Sequence, residues 1–331
     1  MKRMVSGIKP TGELTIGNYI GAIKNFIKFQ DEYELLVFVA DLHALTVEQD
    51  RLELRRRIRD VCALYIACGL DPNKTKIFIQ SEIPAHSQMG YLLECHTYMG
   101  ELSRMTQYKD KLQKGKNDTI HSSMFTYPVL MAADIILYDA DFVPVGDDQK
   151  QHVELTRDIA QRFNSRHGEF FKVPQPAIPE KGARIMDLQN PLKKMSKSDD
   201  TDKGYILLLD DLNRIKNKIK SAMTDSGKTI EYDIKNKPGI ANLMTIYSSI
   251  TGKSFDSIES KYNGKGYGEF KSELADIVVD FIKPIQDKYK EIVNSEKLDL
   301  ILDEGRDYAS KIAFKKVMKA NHKLGLGRKR K

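Results

Sequence analysis

Glu34-Leu35-Leu36-Val37-Phe38-Val39-Ala40-Asp41 decides the fold class. Its apolar residues stand in unbroken succession between two acids, without the alternation of a strand that has one wet face. Such a run marks a strand buried on both sides, as in parallel sheets covered by helices. Upstream, Val5 leads into the turn-rich Gly7-Ile8-Lys9-Pro10-Thr11-Gly12, after which Ile16, Tyr19, Ile20, Ile23 and Ile27 recur at helical spacing. Downstream, Ile58, Val61, Cys62 and Tyr65 are in phase over a helix from about Leu52 to Cys68, and Lys76-Ile77-Phe78-Ile79-Gln80 is a second buried strand. Strand, helix, strand, helix, strand predicts a right-handed parallel unit and hence a doubly wound α/β domain.

Residues 84–125 are more polar and helical, as an insertion between two halves of such a sheet would be. Met131 to Tyr138 reads as a helix, and Asp141-Phe142-Val143-Pro144-Val145 as a strand running into Gly146-Asp147-Asp148. The chain then changes character. Leu212, Ile215, Ile219 and Ala222 fall at helical spacing, as do Leu274, Ile277, Val278 and Phe281, and a last amphipathic helix passes through Ala309, Ile312, Ala313, Val317 and Ala320. The expected division is an α/β domain over 1–186, an all-helical domain over 187–293, and a last helix with a basic tail over 294–331.

The 331 residues are 41% hydrophobic, enough for one large or two medium cores. No apolar stretch reaches the ~18 residues of a membrane span, and the amino terminus lacks the apolar segment of a signal peptide. Cys62, Cys68 and Cys95 have no Cys-x-x-Cys spacing, which argues against a disulfide framework or zinc site and suits a reducing cytoplasm. His121, His152 and His322 show no metal-ligand spacing, so no protein-bound metal is expected. The net charge of +7 is concentrated: residues 311–331 carry nine basic side chains and no acid, so the first 310 residues sum to −2. A polyanionic partner would feel that end of the chain rather than the whole surface.

Lys194-Met195-Ser196-Lys197-Ser198 puts two ammonium groups three residues apart in a polar, Asp-rich neighbourhood. Each lysine can clamp phosphate oxygens as a point charge, and the serines add short-range donors. The first loop-to-helix junction supplies a second half to such a site. Free N–H groups and a positive dipole end are expected there, with Gly17 admitting a flat ring against the backbone and Thr15 and Asn18 as neutral donors to phosphate. Asp134 stands on an apolar stripe with Leu130, Met131, Leu137 and Tyr138, where an unpaired carboxylate is costly and needs a partner or a task. His43, just after the first buried strand, is either a core or capping histidine or a pocket wall.

Thr15-Ile16-Gly17-Asn18 resembles the "HIGH" signature of the class I aminoacyl-tRNA synthetases, and Lys194–Ser198 reads as their "KMSKS" loop. The chain is most similar to the bacterial, tryptophan-specific branch of that family. The likeness runs through Ser6-Gly7-Ile8, Gly17-Asn18-Tyr19-Ile20-Gly21-Ala22, Gly100-Glu101-Leu102, Arg104-Met105-Thr106-Gln107, Met131-Ala132-Ala133-Asp134-Ile135, Val143-Pro144-Val145-Gly146, Asp148-Gln149-Lys150-Gln151-His152 and Gly325-Leu326-Gly327-Arg328. The resemblance implies a Rossmann catalytic domain, a helical anticodon-reading domain and a cytoplasmic homodimer paired through the 84–125 insertion. It implies L-tryptophan, ATP with Mg²⁺, and tRNA(Trp) as substrates and partners, with no membrane. It places Lys9, Pro10, Thr11, Thr15, Gly17, Asn18, Gly146, Asp147, Asp148, Ile185 and Lys194 to Ser198 around ATP. Lys194, Lys197 and, after closure, Lys111 then meet the phosphates. Asp134, Tyr127, Met131, Gln149, His43, Val143 and Val145 take the tryptophan. Lys9 stands where many relatives carry Gln. The competing readings are a tyrosyl-tRNA synthetase and a non-catalytic RNA-binding paralogue.

Overall fold

A computed structural model describes residues 1–114, 121–146, 149–177, 184–197 and 201–328. Five strands form one sheet: β1 (Arg3–Ile8), β2 (Glu34–Val39), β3 (Thr75–Ile79), β4 (Phe142–Pro144) and β5 (Gln175–Ala177). Their order is β3-β2-β1-β4-β5 and every pairing is parallel. The apolar run from Leu35 lies in β2, at the sheet's interior, with Leu35, Leu36, Val37 and Val39 fully buried. Successive side chains enter opposite cores, Leu35, Val37 and Val39 on one face and Leu36 and Phe38 on the other. Each such side chain taken from water stabilises the fold by about 1.5–3 kcal/mol.

The expected Leu52–Cys68 helix spans Arg51–Ala67, capped by Asp50, whose carboxylate accepts from the N–H groups of Leu52 and Glu53 at 2.9 Å. Helices Ala85–Glu94, Met99–Ser103 and Thr106–Lys114 occupy the insertion. The helix expected from Met131 begins earlier, as Ser123–Ile136, and carries Pro128 inside it. Helix Lys150–His167 and β5 had no counterpart in the sequence reading. β5 has three residues, largely exposed, with Pro176 at its centre, which is tolerated only at a sheet edge.

Beyond residue 200 the longer elements are helices Leu212–Lys220, Pro238–Thr251, Phe255–Lys261, Tyr267–Ile292 and Glu296–Lys323. One face of the sheet shares a continuous core with the helical region: Met4, Val37 and Leu64 belong to the same cluster as Ile215, Ile246, Leu274 and Val278. Polar ties reinforce it, with Tyr289 donating to Asp60 at 2.7 Å and Arg59 paired to Asp299 at 2.6 Å.

The last helix returns to the other face. Ala309, Ala313, Val317 and Ala320 pack into the cluster that holds Val5, Leu36 and Phe78. Gly305 allows this approach, because a Cβ there would stand 1.8 Å from the Ile77 carbonyl oxygen of β3. Gly305→Ala is expected to lower stability by at least the ~1–3 kcal/mol of an overpacked site. Thermal unfolding checks this, and an unchanged Tm would show that the helix can move off β3 without loss.

Candidate active site

β1 and β4 are neighbours whose connections leave in opposite directions, so a crevice opens between their carboxyl ends. β1 delivers Lys9 and Pro10 there, β2 Asp41 to His43, β3 Gln80 and Ser81, and β4 the exposed Gly146. Asp147, Asp148 and Ser198 lie outside the described residues. Gln149 follows in a turn, its N–H donating to the Gly146 carbonyl at 3.0 Å. Thr11 is exposed and Pro10 buried.

The helix start differs from expectation in one respect. Thr15 and Asn18 form a capping box: the Asn18 N–H donates to the Thr15 hydroxyl, and the Thr15 N–H and hydroxyl both donate to the Asn18 side-chain oxygen, at 2.9–3.2 Å. The Ile16 N–H is taken by the Ile206 carbonyl at 2.9 Å. Thr15 is therefore buried, with its proton engaged inside the cap rather than presented to phosphate. The cap uses the oxygen of the Asn18 amide and leaves its nitrogen to donate. Gly17 is closely covered, because a Cβ there would lie 3.3 Å from the Thr15 hydroxyl and 3.7 Å from both Ile185 and the Met195 sulfur. The structure thus brings Gly17, Ile185 and Met195 together.

Two short antiparallel segments carry the lysine loop. Met186 bridges Lys194, the Asp187 N–H donates to the Lys193 carbonyl at 2.9 Å, and the Met195 N–H donates to the Ile185 carbonyl at 3.0 Å. Ile185 and Met195 are buried, Ser196 is half-buried and Lys194 is exposed. Lys197 folds back and donates to the Glu13 carbonyl. Its ammonium lies where a Gly12 Cβ would come within 2.9 Å, and Gly12 has φ +149°, a conformation that side chains rarely adopt. Burial, followed by the charge of Arg57, lowers the Lys197 pKa to about 8, against the opposing pull of Glu13. The two lysines are thus held differently, one open and one docked.

Asp134, 2% exposed, is the centre of a buried polar network. One carboxylate oxygen accepts from Gln80 Nε2 at 2.7 Å and His86 Nδ1 at 2.6 Å, and the other from His43 Nε2 at 2.7 Å. His86 continues through Nε2 to the Tyr138 hydroxyl at 2.7 Å. Burial pushes the Asp134 pKa up, but His43 and then His86 more than reverse it and hold the carboxyl below its ordinary value. An ionised carboxylate offers about four lone-pair positions. Among the described residues three are occupied, which leaves one on the oxygen facing His43.

The crevice wall is completed by Tyr127, whose hydroxyl donates to Gln107 at 2.7 Å and meets His152 Nε2 at 2.7 Å, and whose ring lies edge-on to His43. Lys9 is exposed as a residue, yet its ammonium end is crowded. It reaches the Thr46 hydroxyl at 3.4 Å and lies 5.9 Å from the Tyr127 ring centre. Burial at that end, then the charge of Lys111, lowers its pKa. Lys111 is exposed on the Thr106–Lys114 helix. Val143 and Val145 are sealed in the core shared with the Asp134 helix, and Met131 packs half-buried against it. Gln80, His86, Tyr138 and Gln107 have no site role in the sequence reading. His86 carried a signal, since it falls in phase with buried Met89, Gly90 and Leu93, where a polar residue asks for a partner. Gln80 carried another, as a polar residue closing a buried parallel strand.

Comparison with known proteins fits this geometry. The family of class I tRNA synthetases for tryptophan and tyrosine matches residues 1–283. A tryptophan–tRNA ligase of Oceanobacillus iheyensis is 56% identical over 329 residues, covering 99% of this chain and 100% of the relative. The crystal structure of tryptophanyl-tRNA synthetase from Mycoplasma pneumoniae matches with a TM-score of 0.90 at 37% identity, covering 99% of this chain and 98% of that one. The Campylobacter jejuni tryptophanyl-tRNA synthetase, solved with ADP and tryptophan, matches with a TM-score of 0.84 at 36% identity, covering 98% of this chain and 100% of that one.

Proposed function

The chain belongs to the class I tRNA synthetases of the tryptophan and tyrosine type, and from that membership we propose how its crevice performs the reaction. The enzyme is an aminoacyl-tRNA synthetase that joins tryptophan to tRNA at the expense of ATP. The tryptophan carboxylate attacks the α-phosphorus of ATP, the bond to the β-phosphate oxygen breaks, and pyrophosphate leaves with the electron pair. The 2′-hydroxyl of the terminal adenosine of tRNA(Trp) then attacks the acyl carbon of the adenylate and AMP leaves.

Asp134 carries the choice of tryptophan in this reading. Its one remaining acceptor position, deep in a network otherwise complete, suits the indole N–H. A buried acceptor left unpaired by the wrong side chain discriminates by large factors. His43 and Tyr127 form the wall beside it, and Lys9 faces the carboxylate end. The adenine lies against the Gly17 backbone once Ile185 and Met195 move off it, with Asn18 donating toward phosphate. Lys194, Lys197 and Lys111 take the charge of the departing pyrophosphate, so catalysis comes from alignment and charge stabilisation without an enzyme nucleophile. Lysines suit phosphate oxygens rather than a cation, and among the described residues no cluster of three or more His, Cys, Asp or Glu side chains stands ready for a metal. Mg²⁺ bound to the triphosphate would supply charge neutralisation on the leaving group.

The helical region 187–293 reads the anticodon in this proposal. The homodimer contact falls on the insertion, where Tyr91 and Met99 are largely exposed. No helix among the described residues is long and apolar enough to cross a membrane. We place the enzyme in the cytoplasm, where its tRNA is charged and unpaired Cys62, Cys68 and Cys95 stay reduced.

Amino-acid-dependent ATP–pyrophosphate exchange tests the assignment. Tryptophan should support exchange and tyrosine only background. Equal exchange with tyrosine would remove Asp134 as the selector, and silence with both would favour a non-catalytic RNA-binding protein.

A further inference from the structure

Asn242 lies inside helix Pro238–Thr251, 4% exposed, between Ala241 and Leu243, which are also buried. A side-chain amide in such a place needs partners for both its ends. It finds them on one residue: the Met186 N–H donates to its oxygen at 2.8 Å, and its nitrogen donates to the Met186 carbonyl at 2.8 Å. The geometry of the lysine loop explains why Met186 has both groups to offer. The Met186–Lys194 bridge is closed by bonds between the flanking residues, from the Asp187 N–H to the Lys193 carbonyl and from the Met195 N–H to the Ile185 carbonyl. In that kind of antiparallel pair the central residue's own N–H and carbonyl point away from its partner. Asn242 receives them and acts in place of a third strand.

The consequence reaches the reacting groups through a short chain of contacts. Ile185 and Met195, the pair next to this bridge, pack beside Gly17, and two residues beyond Met195 stands Lys197. We propose that Asn242 is a positioning residue for tryptophan activation: its two-point hold on Met186 sets the height of the Ile185–Asp187 segment and, through it, the lysine loop over the nucleotide. This rests on the reaction assigned above. It also joins a helix of the anticodon-reading region directly to the segment that carries the phosphate-binding lysines.

The test compares Asn242→Ala with Thr245→Ala in the full-length enzyme. Thr245 is buried on the same helix, but its hydroxyl donates to the Ala241 carbonyl within that helix at 2.7 Å and does not touch Met186. Both variants disturb the helix; only the first releases the loop. Asn242→Ala is expected to lower kcat for tryptophan-dependent exchange about 10- to 100-fold, the scale of a small misplacement of reacting groups, with the tryptophan KM unchanged. Thr245→Ala should keep kcat. Hydrogen exchange gives a second readout, with the Met186 and Met195 amides losing protection in Asn242→Ala alone. A kcat at the wild-type value in Asn242→Ala overturns the inference, as does an equal fall in Thr245→Ala or unchanged amide protection. Wild-type protein inactive with tryptophan is a separate outcome, which removes the assigned reaction while amide hydrogen exchange still reads the tie.

Discussion

Lys197→Ala should slow tryptophan activation by about 10²–10³-fold at saturating ATP, the magnitude of one well-aimed group stabilising a developing charge. Tryptophan affinity should stay close to wild type. In the resting structure the ammonium is docked on the Glu13 carbonyl, so it must leave that position to meet pyrophosphate. An interaction gained mainly in the transition state appears in kcat rather than in binding. The lowered pKa adds a second, independent signature. With the group titrating at about 8, the free enzyme loses this cation as pH rises through that value, so kcat/KM for ATP should fall on the alkaline side. Bound phosphate favours the charged form, and the fall in kcat should therefore come at higher pH. Lys197→Arg keeps its proton throughout and should abolish the alkaline fall even where its geometry is poorer. Exchange rates over a pH series settle the matter. Equal rates for Lys197→Ala and wild type would refute the role, and an alkaline limb that persists in Lys197→Arg would assign the titration to another group.

Asp134→Asn keeps the shape of the side chain and replaces one oxygen by an NH₂ group. Gln80 and His86 both donate to the same oxygen, so the amide oxygen is best kept there. The NH₂ then faces His43 and the remaining acceptor position. His43 can move its proton to the other ring nitrogen and accept, which lets the network survive. The indole N–H has no such freedom and meets a donor. A hydrogen bond to a charged acceptor contributes about 1.5–3 kcal/mol, so tryptophan affinity should fall roughly 10- to 100-fold while ATP binding alone changes little. Isothermal titration with each ligand separates the two. Unchanged tryptophan affinity would make Asp134 a purely structural centre for two histidines.

The parts of the fold that could be read in advance share one property, in that their signal is local. β2 and β3 announce themselves because both faces are buried, which leaves an uninterrupted apolar run. β5 does not, because a three-residue edge strand with Pro176 has neither alternation nor continuity. The Ser123–Ile136 helix was visible only in its second half, since Pro128 hides the first. The site divides in the same way. Asp134 was conspicuous as a carboxylate on an apolar stripe, but its partners come from 91, 54 and 48 residues away, distances that no helical or strand period spans. The use of the Thr15 hydroxyl is legible in the sequence. Thr-x-x-Asn before an apolar run has the spacing of a capping box, which competes with a ligand for the same proton.

The return of the Glu296–Lys323 helix to β3 sets the order in which the enzyme comes into being. A ribosome releases β1, β2 and β3 long before the helix that covers them with Ala309, Ala313 and Val317. Until then Val5, Leu36 and Phe78 lack part of their cover, and the sheet meets the cell with an apolar face that invites aggregation. This face of the sheet is thus sealed only after residues 309–320 have emerged, and a message cut short before residue 296 yields an unsealed sheet rather than a smaller working enzyme.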